Sequence, residues 1–226
     1  MSTETNVWIS AHYEEPFHRL RTAKLPAKLA RLGVLDLDRK AYVLDACCGQ
    51  GEALAALRQH GFRHLAGADR LTHREWEQIA DCCFTSCDVR RTPFADGELD
   101  AVMMLHALHH MGGARGVADV LSECFRVLKP TGKLFIIDFP SSPQIRTLFW
   151  LLRKRIGVVT PGLLNFARIL DEEWSYLSVY LDEWTAVRAL LTDGPFQVQH
   201  WRRGLFLYYL ALSKPEHTVT YGAGTR

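Results

Sequence analysis

Apolar residues in the middle of this chain fall in short blocks separated by stretches of helical spacing. Tyr42-Val43-Leu44 is a short apolar run that ends at Asp45 and enters a turn of small residues, Ala46 to Gly51. Ala53 to Leu57 then has the spacing of a helix that stops near Gly61. His64 to Ala68 predicts a second strand ending at Asp69, Glu75 to Ala80 a helix, Cys83 to Cys87 a third strand ending at Asp88, and Leu99 to Leu105 a fourth strand. Val117 to Leu128 predicts a helix stopped by Lys129-Pro-Thr-Gly132, and Lys133 to Asp138 a fifth strand. Strands separated by helices pair in parallel through right-handed crossovers.

Beyond Asp138 this alternation lapses over residues 140–180, which are rich in aromatic and basic residues. It resumes with a helix from Glu183 to Leu191. A turn at Asp193-Gly-Pro195 then leads to two apolar runs, Phe196 to Trp201 and Leu205 to Leu212. Only Arg202-Arg-Gly204 separates these runs, so they predict an antiparallel hairpin. The expected fold is α/β: a doubly wound, seven-stranded, mostly parallel sheet closed by an antiparallel C-terminal hairpin and carrying a helical cap. The cap is placed at 1–40, where Trp8, Tyr13, Phe17 and Leu20 recur at helical intervals around Pro16 and a second stretch, Ala23 to Leu32, ends at Gly33. The main domain is placed at 41–213, with 140–181 as an inserted segment that forms the acceptor site, and 214–226 as a flexible tail.

Composition narrows the class. The 226 residues, 48% hydrophobic and 23% charged, suffice for a full core without disulfides or structural metal. A net charge of +2 is too small to make nucleic acid the expected partner. The six cysteines, with adjacent pairs at 47/48 and 82/83, match neither a secreted disulfide framework nor structural zinc spacing. Reduced thiols, no metal and a cytoplasmic location are therefore expected. No signal peptide and no membrane span are expected from the polar start and the lack of a long uncharged apolar run.

Candidate chemistry lies in the turn after the first strand, because ligands of open α/β sheets sit beyond the carboxyl ends of the strands. There Asp45-Ala46-Cys47-Cys48-Gly49-Gln50-Gly51 offers backbone that a ligand can approach closely. A dinucleotide fingerprint would need glycine where Leu54 stands, which disfavours a pyrophosphate and favours a cofactor without phosphates. Asp69, about 20 residues after Gly49, is placed to accept both ribose hydroxyls. Asp88 is placed to accept from an adenine amino group. Each acid taken alone is equally well read as a helix N-cap.

These residues resemble the class I S-adenosylmethionine-dependent methyltransferases. The resemblance covers about residues 40–140 and rests on Val43-Leu-Asp-Ala-Cys-Cys-Gly-Gln-Gly51, on Gly67-Ala-Asp-Arg70, on Asp88 through Pro93-Phe94 to Asp100, and on Leu108-His-His110 with Glu123 to Gly132. It implies S-adenosylmethionine as cofactor. Asp45, Gly49 and Gly51 would lie along its methionine part and ribose, Asp69 on the ribose, Asp88 and Val89 on the adenine, and Leu105 and His106 near the sulfonium. Ala46, Cys47 and Arg70 complete that donor set. Two positions depart from the family pattern: Cys47 replaces the first loop glycine, and Thr131 interrupts the usual Pro-Gly-Gly. Pro93-Phe94, the Leu-His-His run and Tyr176-Leu-Ser178 resemble the subfamily that contains ubiquinone and menaquinone C-methyltransferases.

The reaction so implied is methyl transfer to a small, largely apolar acceptor such as a phenol or quinol. It depends mainly on positioning and exclusion of water. His109 and His110 are the candidate general bases, although histidines here can also simply pack or bond backbone. Tyr13, Phe17, Trp150, Trp174 and Tyr176 are candidate acceptor contacts, with core filling as the plainer role for many of the aromatics. Arg146, Arg153, Lys154 and Arg155 flank Phe149 to Leu152. Such a helix can touch anionic lipid weakly at the periphery, or its cations can snorkel over packed surface. The alternatives are an O- or N-methyltransferase of secondary metabolism and a non-catalytic S-adenosylmethionine-binding partner or regulator. A nucleic-acid methyltransferase is disfavoured because His106-Ala-Leu-His109 stands where an Asn-Pro-Pro-Tyr motif would be.

Overall fold

The computed structural model describes residues 17–216, with backbone alone over 17–23. Trp8, Tyr13, Pro16 and the side chains of Phe17 and Leu20 therefore lie outside the described residues, as does 217–226. In chain order the elements are α1 (Phe17–Leu32), β1 (Tyr42–Ala46), α2 (Glu52–Gln59), β2 (His64–Asp69) and β3 (Cys82–Ser86), followed by β4 (Leu99–Leu105), α3 (Ala114–Val127) and β5 (Leu128–Asp138). Two further helices, α4 (Pro143–Arg153) and α5 (Pro161–Asp182), precede α6 (Trp184–Thr192), β6 (Gln197–Arg203) and β7 (Tyr208–Ser213). The sheet has seven strands in the order β3-β2-β1-β4-β5-β7-β6. β1 to β5 pair in parallel and β7 pairs antiparallel with both β5 and β6. The order reverses between β1 and β4, which opens a crevice at their carboxyl ends.

The sheet is buried on both faces, so its central strands are near-continuous apolar runs rather than alternating ones, with Asp45 and Asp100 as exceptions in β1 and β4. On one face Val43, Ala101, Met103, Phe135 and Ile137 meet Leu54 and Leu57 of α2 and Leu29 and Leu32 of α1. On the other, Leu44, Val102, Met104, Leu134 and Ile136 meet Val117, Val120 and Leu121 of α3 and Leu177 and Tyr180 of α5. The helix α1 is thus one of the sheet's covering layers: Leu29 and Leu32 are fully buried. It continues through Pro26 and stops at Gly33, whose φ of 85° is the left-handed conformation that ends helices.

Several local expectations are corrected. The predicted helix at 75–80 is a single 3-10 turn, Arg74–Gln78. Trp76 holds that turn against the first loop by donating from Nε1 to the Gly49 carbonyl at 2.8 Å and stacking on Phe84 at 4.8 Å. The fifth strand begins at Leu128 rather than Lys133, taking Pro130-Thr-Gly132 into an irregular stretch with Thr131 at φ 65°. The segment 140–181 is two helices, each started by a hydroxyl cap followed by proline. Ser142 accepts from Ile145 N and Thr160 from Leu163 N. Lys214, where the tail is expected to begin, donates from Nζ to the carbonyls of Phe125 and Leu128.

Candidate active site

The donor side is built from backbone. Cys47 N and Cys48 N donate to Ala68 O, which sews the loop after β1 to the end of β2. Gly49 N donates to Asp69 Oδ2 at 2.8 Å, and Leu71 N to Asp69 Oδ1 at 3.1 Å. Burial alone would raise the Asp69 pKa, but these bonds and His73 outweigh it and hold it below the ordinary carboxylate value. An ionised carboxylate with one backbone donor on each oxygen keeps lone pairs for two ligand hydroxyls. Gly49 and Gly51 have different jobs. A Cβ on Gly49 (φ 52°) would meet nothing within 4 Å, whereas one on Gly51 (φ 87°) would come within 2.6 Å of Ile79 Cδ1. Gly49 therefore bares backbone toward open space, and Gly51 lets Ile79 and Phe84 close beneath the loop. Cys47 and Cys48 are held as neutral thiols, because burial and then the nearby Asp69 and Asp45 raise their pKa.

Asp45 is buried at the end of β1, and Ala46 and Val89 are packed into the core. Arg70 follows Asp69, and its carbonyl accepts from Ser86 Oγ. Asp88 is half exposed and gripped by its own neighbour: Arg90 donates from Nε at 3.0 Å and from a terminal nitrogen at 2.6 Å. That guanidinium, more than any opposing desolvation, pushes the Asp88 pKa down to about 2. The segment after Asp88 is tied to α3 by Glu123, which accepts from Thr92 N and Thr92 Oγ1, each at 2.7 Å. Leu105 ends β4. His106 follows in the left-handed region at φ 57°, its N–H donating to Ile137 O and its Nε2 lying 3.0 Å from Lys28 Nζ of α1.

The acceptor side is built from side chains. His109 is 2% exposed, with Nδ1 2.8 Å from Asp138 Oδ1 and Nε2 3.6 Å from Glu173 Oε2. Burial alone would lower its pKa, but the carboxylates of Asp138 and then Glu173 raise it well above the ordinary histidine value. A ring so protonated is a poor base at neutral pH. His110 is pushed down to about 4 by desolvation and then by the charge of His109, although 37% of its side chain reaches solvent. Of the two candidate bases, His110 is the one with a free lone pair at neutral pH. Phe139 at 5.5 Å and Tyr180 at 6.3 Å flank His109, and Tyr180 bonds Tyr208 through their hydroxyls at 3.0 Å.

The candidate acceptor contacts separate. Trp150 is 54% exposed on the outer side of α4. Trp174 is half-buried beneath the Arg153 guanidinium, 4.1 Å from its ring, and Tyr176 is also half-buried on α5. Asp138, Glu173, Lys28, Trp76 and Glu123 were not singled out from the sequence. Asp138 ends β5, so the rule that picked Asp69 would have found it. Glu173 reaches His109 and His110 from a distant helix, and no local pattern announces it.

Comparisons with known proteins give the chain's relatives. Residues 44–136 match a family model described as a methyltransferase domain. The chain is 33% identical over 189 residues to an uncharacterized methyltransferase of Synechocystis sp., covering 82% of this chain and 76% of that one. It is also 33% identical over 156 residues to a 2-phytyl-1,4-naphtoquinone methyltransferase of Nostoc punctiforme, covering 62% of this chain; the match spans only 63% of that relative's length. Among solved structures, a magnesium protoporphyrin IX methyltransferase from Synechocystis with bound S-adenosylhomocysteine superposes with TM-score 0.61 at 18% identity, over 94% of this chain and 95% of that one.

Proposed function

This chain belongs to the methyltransferase family, and we propose that it moves a methyl group from S-adenosylmethionine to a small, largely apolar acceptor, a phenol or a quinol. The observation that carries this reading is the contact between ionised Asp69 and the Gly49 backbone, which leaves a carboxylate and bare main chain on the same crevice. A nucleoside with a vicinal diol fits that pair, and the S-adenosylhomocysteine held by the protoporphyrin methyltransferase of the same fold supports the choice of donor. The naphthoquinone methyltransferase among the relatives supports an acceptor of that class.

The chemistry follows from the two sides. The sulfonium is already activated, so the protein's work is to align donor and acceptor and keep water out. Asp45, Gly49 and Asp69 fix the donor, with Asp88 and Val89 at its adenine end. Phe139, Tyr180 and the half-buried Trp174 give the acceptor end its apolar character, and His110 offers a neutral ring nitrogen there. Among the described residues no helix is long and apolar enough to cross a membrane. The exposed tip between α4 and α5 fits peripheral contact with an anionic bilayer, where an apolar acceptor would reside. Buried, neutral thiols at Cys47, Cys48 and Cys124 fit a reducing compartment, and we place the protein in the cytoplasm.

Calorimetry with S-adenosylhomocysteine tests the donor half. We expect saturable binding that weakens at least tenfold in Asp69→Ala, since hydrogen bonds to a charged group contribute about 1.5–3 kcal/mol each. Mass spectrometry of phenolic and quinol acceptors with methyl-labelled donor tests the rest. Binding of a nicotinamide dinucleotide in place of the thioether overturns the proposal.

A further inference from the structure

Three polar groups at the acceptor end converge on a gap that none of them closes. Glu173 Oε2 stands 3.6 Å from His109 Nε2, and Glu173 Oε1 stands 3.8 Å from His110 Nε2. Both separations are too long for hydrogen bonds. His109 Nε2 is buried and lacks a hydrogen-bond partner. The ligand atoms of the three residues all lie within 4.8 Å of one another. Two ligands of one tetrahedral ion at bond lengths near 2.1 Å are about 3.4 Å apart, so the two carboxylate–imidazole spacings need only a few tenths of an ångström to close, and the widest pair, within 4.8 Å, needs a side-chain shift of about 1 Å.

The surroundings repeat a pattern known from metal-ligating histidines. Asp138, with no exposure at all, lies 2.8 Å from His109 Nδ1. A carboxylate that accepts a hydrogen bond from one ring N–H fixes the tautomer and aims the other nitrogen at a metal. His109 and His110 lie with ring centroids 4.1 Å apart and planes 37° from parallel. His110 and Glu173 are 37% and 20% exposed, which gives an ion a way in.

We propose that His109, His110 and Glu173 form a divalent-cation site, with Asp138 orienting His109 from behind. Two imidazoles and one carboxylate suit zinc, manganese, iron(II) or cobalt(II), and not calcium or magnesium, which take oxygen ligands. Three protein ligands leave coordination positions open. On the methyl-transfer reading, those positions face the acceptor and would hold one of its oxygens. The cation site itself does not depend on that reading. A ring nitrogen on a cation cannot also take a proton, so His110 serves as a ligand in the loaded protein.

Chelator-treated, fully reduced full-length protein titrated with cobalt(II) and then zinc tests the site. We expect one equivalent to bind with a visible cobalt spectrum lacking a thiolate charge-transfer band. Affinity should fall at least tenfold in Glu173→Gln and in His110→Gln, and about 10–100-fold in Asp138→Asn. His110 is the most exposed of the three, so His110→Gln keeps the test open should the buried variants not fold. Absence of saturable binding, binding that ignores His110→Gln, or a thiolate band overturns the proposal. S-adenosylhomocysteine calorimetry on the same samples separates the two ideas, since donor binding without cobalt binding sinks the cation site alone.

Discussion

The two halves of the crevice are made in different ways. On the expected donor side, backbone amides do the bonding: those of Cys47 and Cys48 donate to Ala68 O and that of Gly49 to the Asp69 carboxylate, between the ends of adjacent strands β1 and β2. On the acceptor side, His109, Asp138 and Glu173 come from three separate elements and meet through side chains, two of them nearly or fully buried. A backbone-built site is specified by which residues can be absent, above all a Cβ. A side-chain-built site is specified by which charges are present and how they balance.

The largest expected effect tests whether the donor half truly divides its glycines between packing and binding. A Cβ on Gly67 in β2 would fall 2.5 Å from Phe84 Cδ1 and 2.9 Å from Cys48 Sγ. Gly67→Ala should therefore lower folding stability by about 2 kcal/mol, in the range of overpacked cores. Gly49→Ala meets no neighbour but must hold a left-handed φ, for about 1 kcal/mol, and should weaken thioether binding out of proportion to that loss. Thermal melts paired with calorimetry check both. Equal ratios of stability loss to binding loss in the two variants would erase the distinction.

The same contrast decides what the sequence disclosed. Strand ends, the glycine loop and the acids at 45, 69 and 88 are local, since the short apolar runs end where the sheet ends, and parallel pairing follows from the alternation of strands and helices. Asp138, at the end of β5, obeys the same rule. Residues 140–180 read as a lapse because their apolar positions include an exposed tip as well as a buried face. The start signals Ser142-Pro143 and Thr160-Pro161 were nevertheless present. Glu173 is different in kind. Its role exists only once α5 packs over the 3-10 turn at Leu108–Met111, and nothing within several residues of it encodes that contact.

The exposed tip sharpens the acceptor half. Val159 is 85% exposed and Ile156 51%, beside Leu163 and Leu164. No acidic residue occurs from Phe139 to Leu170, while Arg146, Arg153, Lys154, Arg155 and Arg168 do. Asp171 pairs with both Arg153 and Arg155, and Asp182 with Arg146, so the five cations of this segment meet two carboxylates and keep a positive surplus. An apolar tip with nearby cations matches an anionic bilayer surface. Flotation with phosphatidylglycerol-containing vesicles should recover the protein, and Val159→Asp should cut recovery about tenfold, roughly 1.4 kcal/mol. Equal recovery on neutral phosphatidylcholine, or an unaffected Val159→Asp, removes the bilayer as this half's partner.

The smallest expected effect concerns the strut that holds the segment proposed to meet the adenine. Glu123 accepts from Thr92 N, Thr92 Oγ1 and Arg126, and so fixes the segment that follows Asp88 and Val89 onto α3. Burial alone would raise its pKa, but Arg126 and Thr92 outweigh it, and the net shift is downward. A carboxyl whose folded pKa lies below its unfolded value near 4.3 stabilises fully above that value and loses its contribution as pH falls through the folded pKa. Glu123→Gln keeps an acceptor oxygen but loses the charge, which should lower stability by about 1 kcal/mol at pH 7. Urea melts of both proteins from pH 7 down to pH 3 should show that difference narrowing below about pH 4.3. A gap that stays constant across the range would mean that Glu123 acts by shape alone, as the glycines do, and the donor half would then owe nothing to charge at this strut.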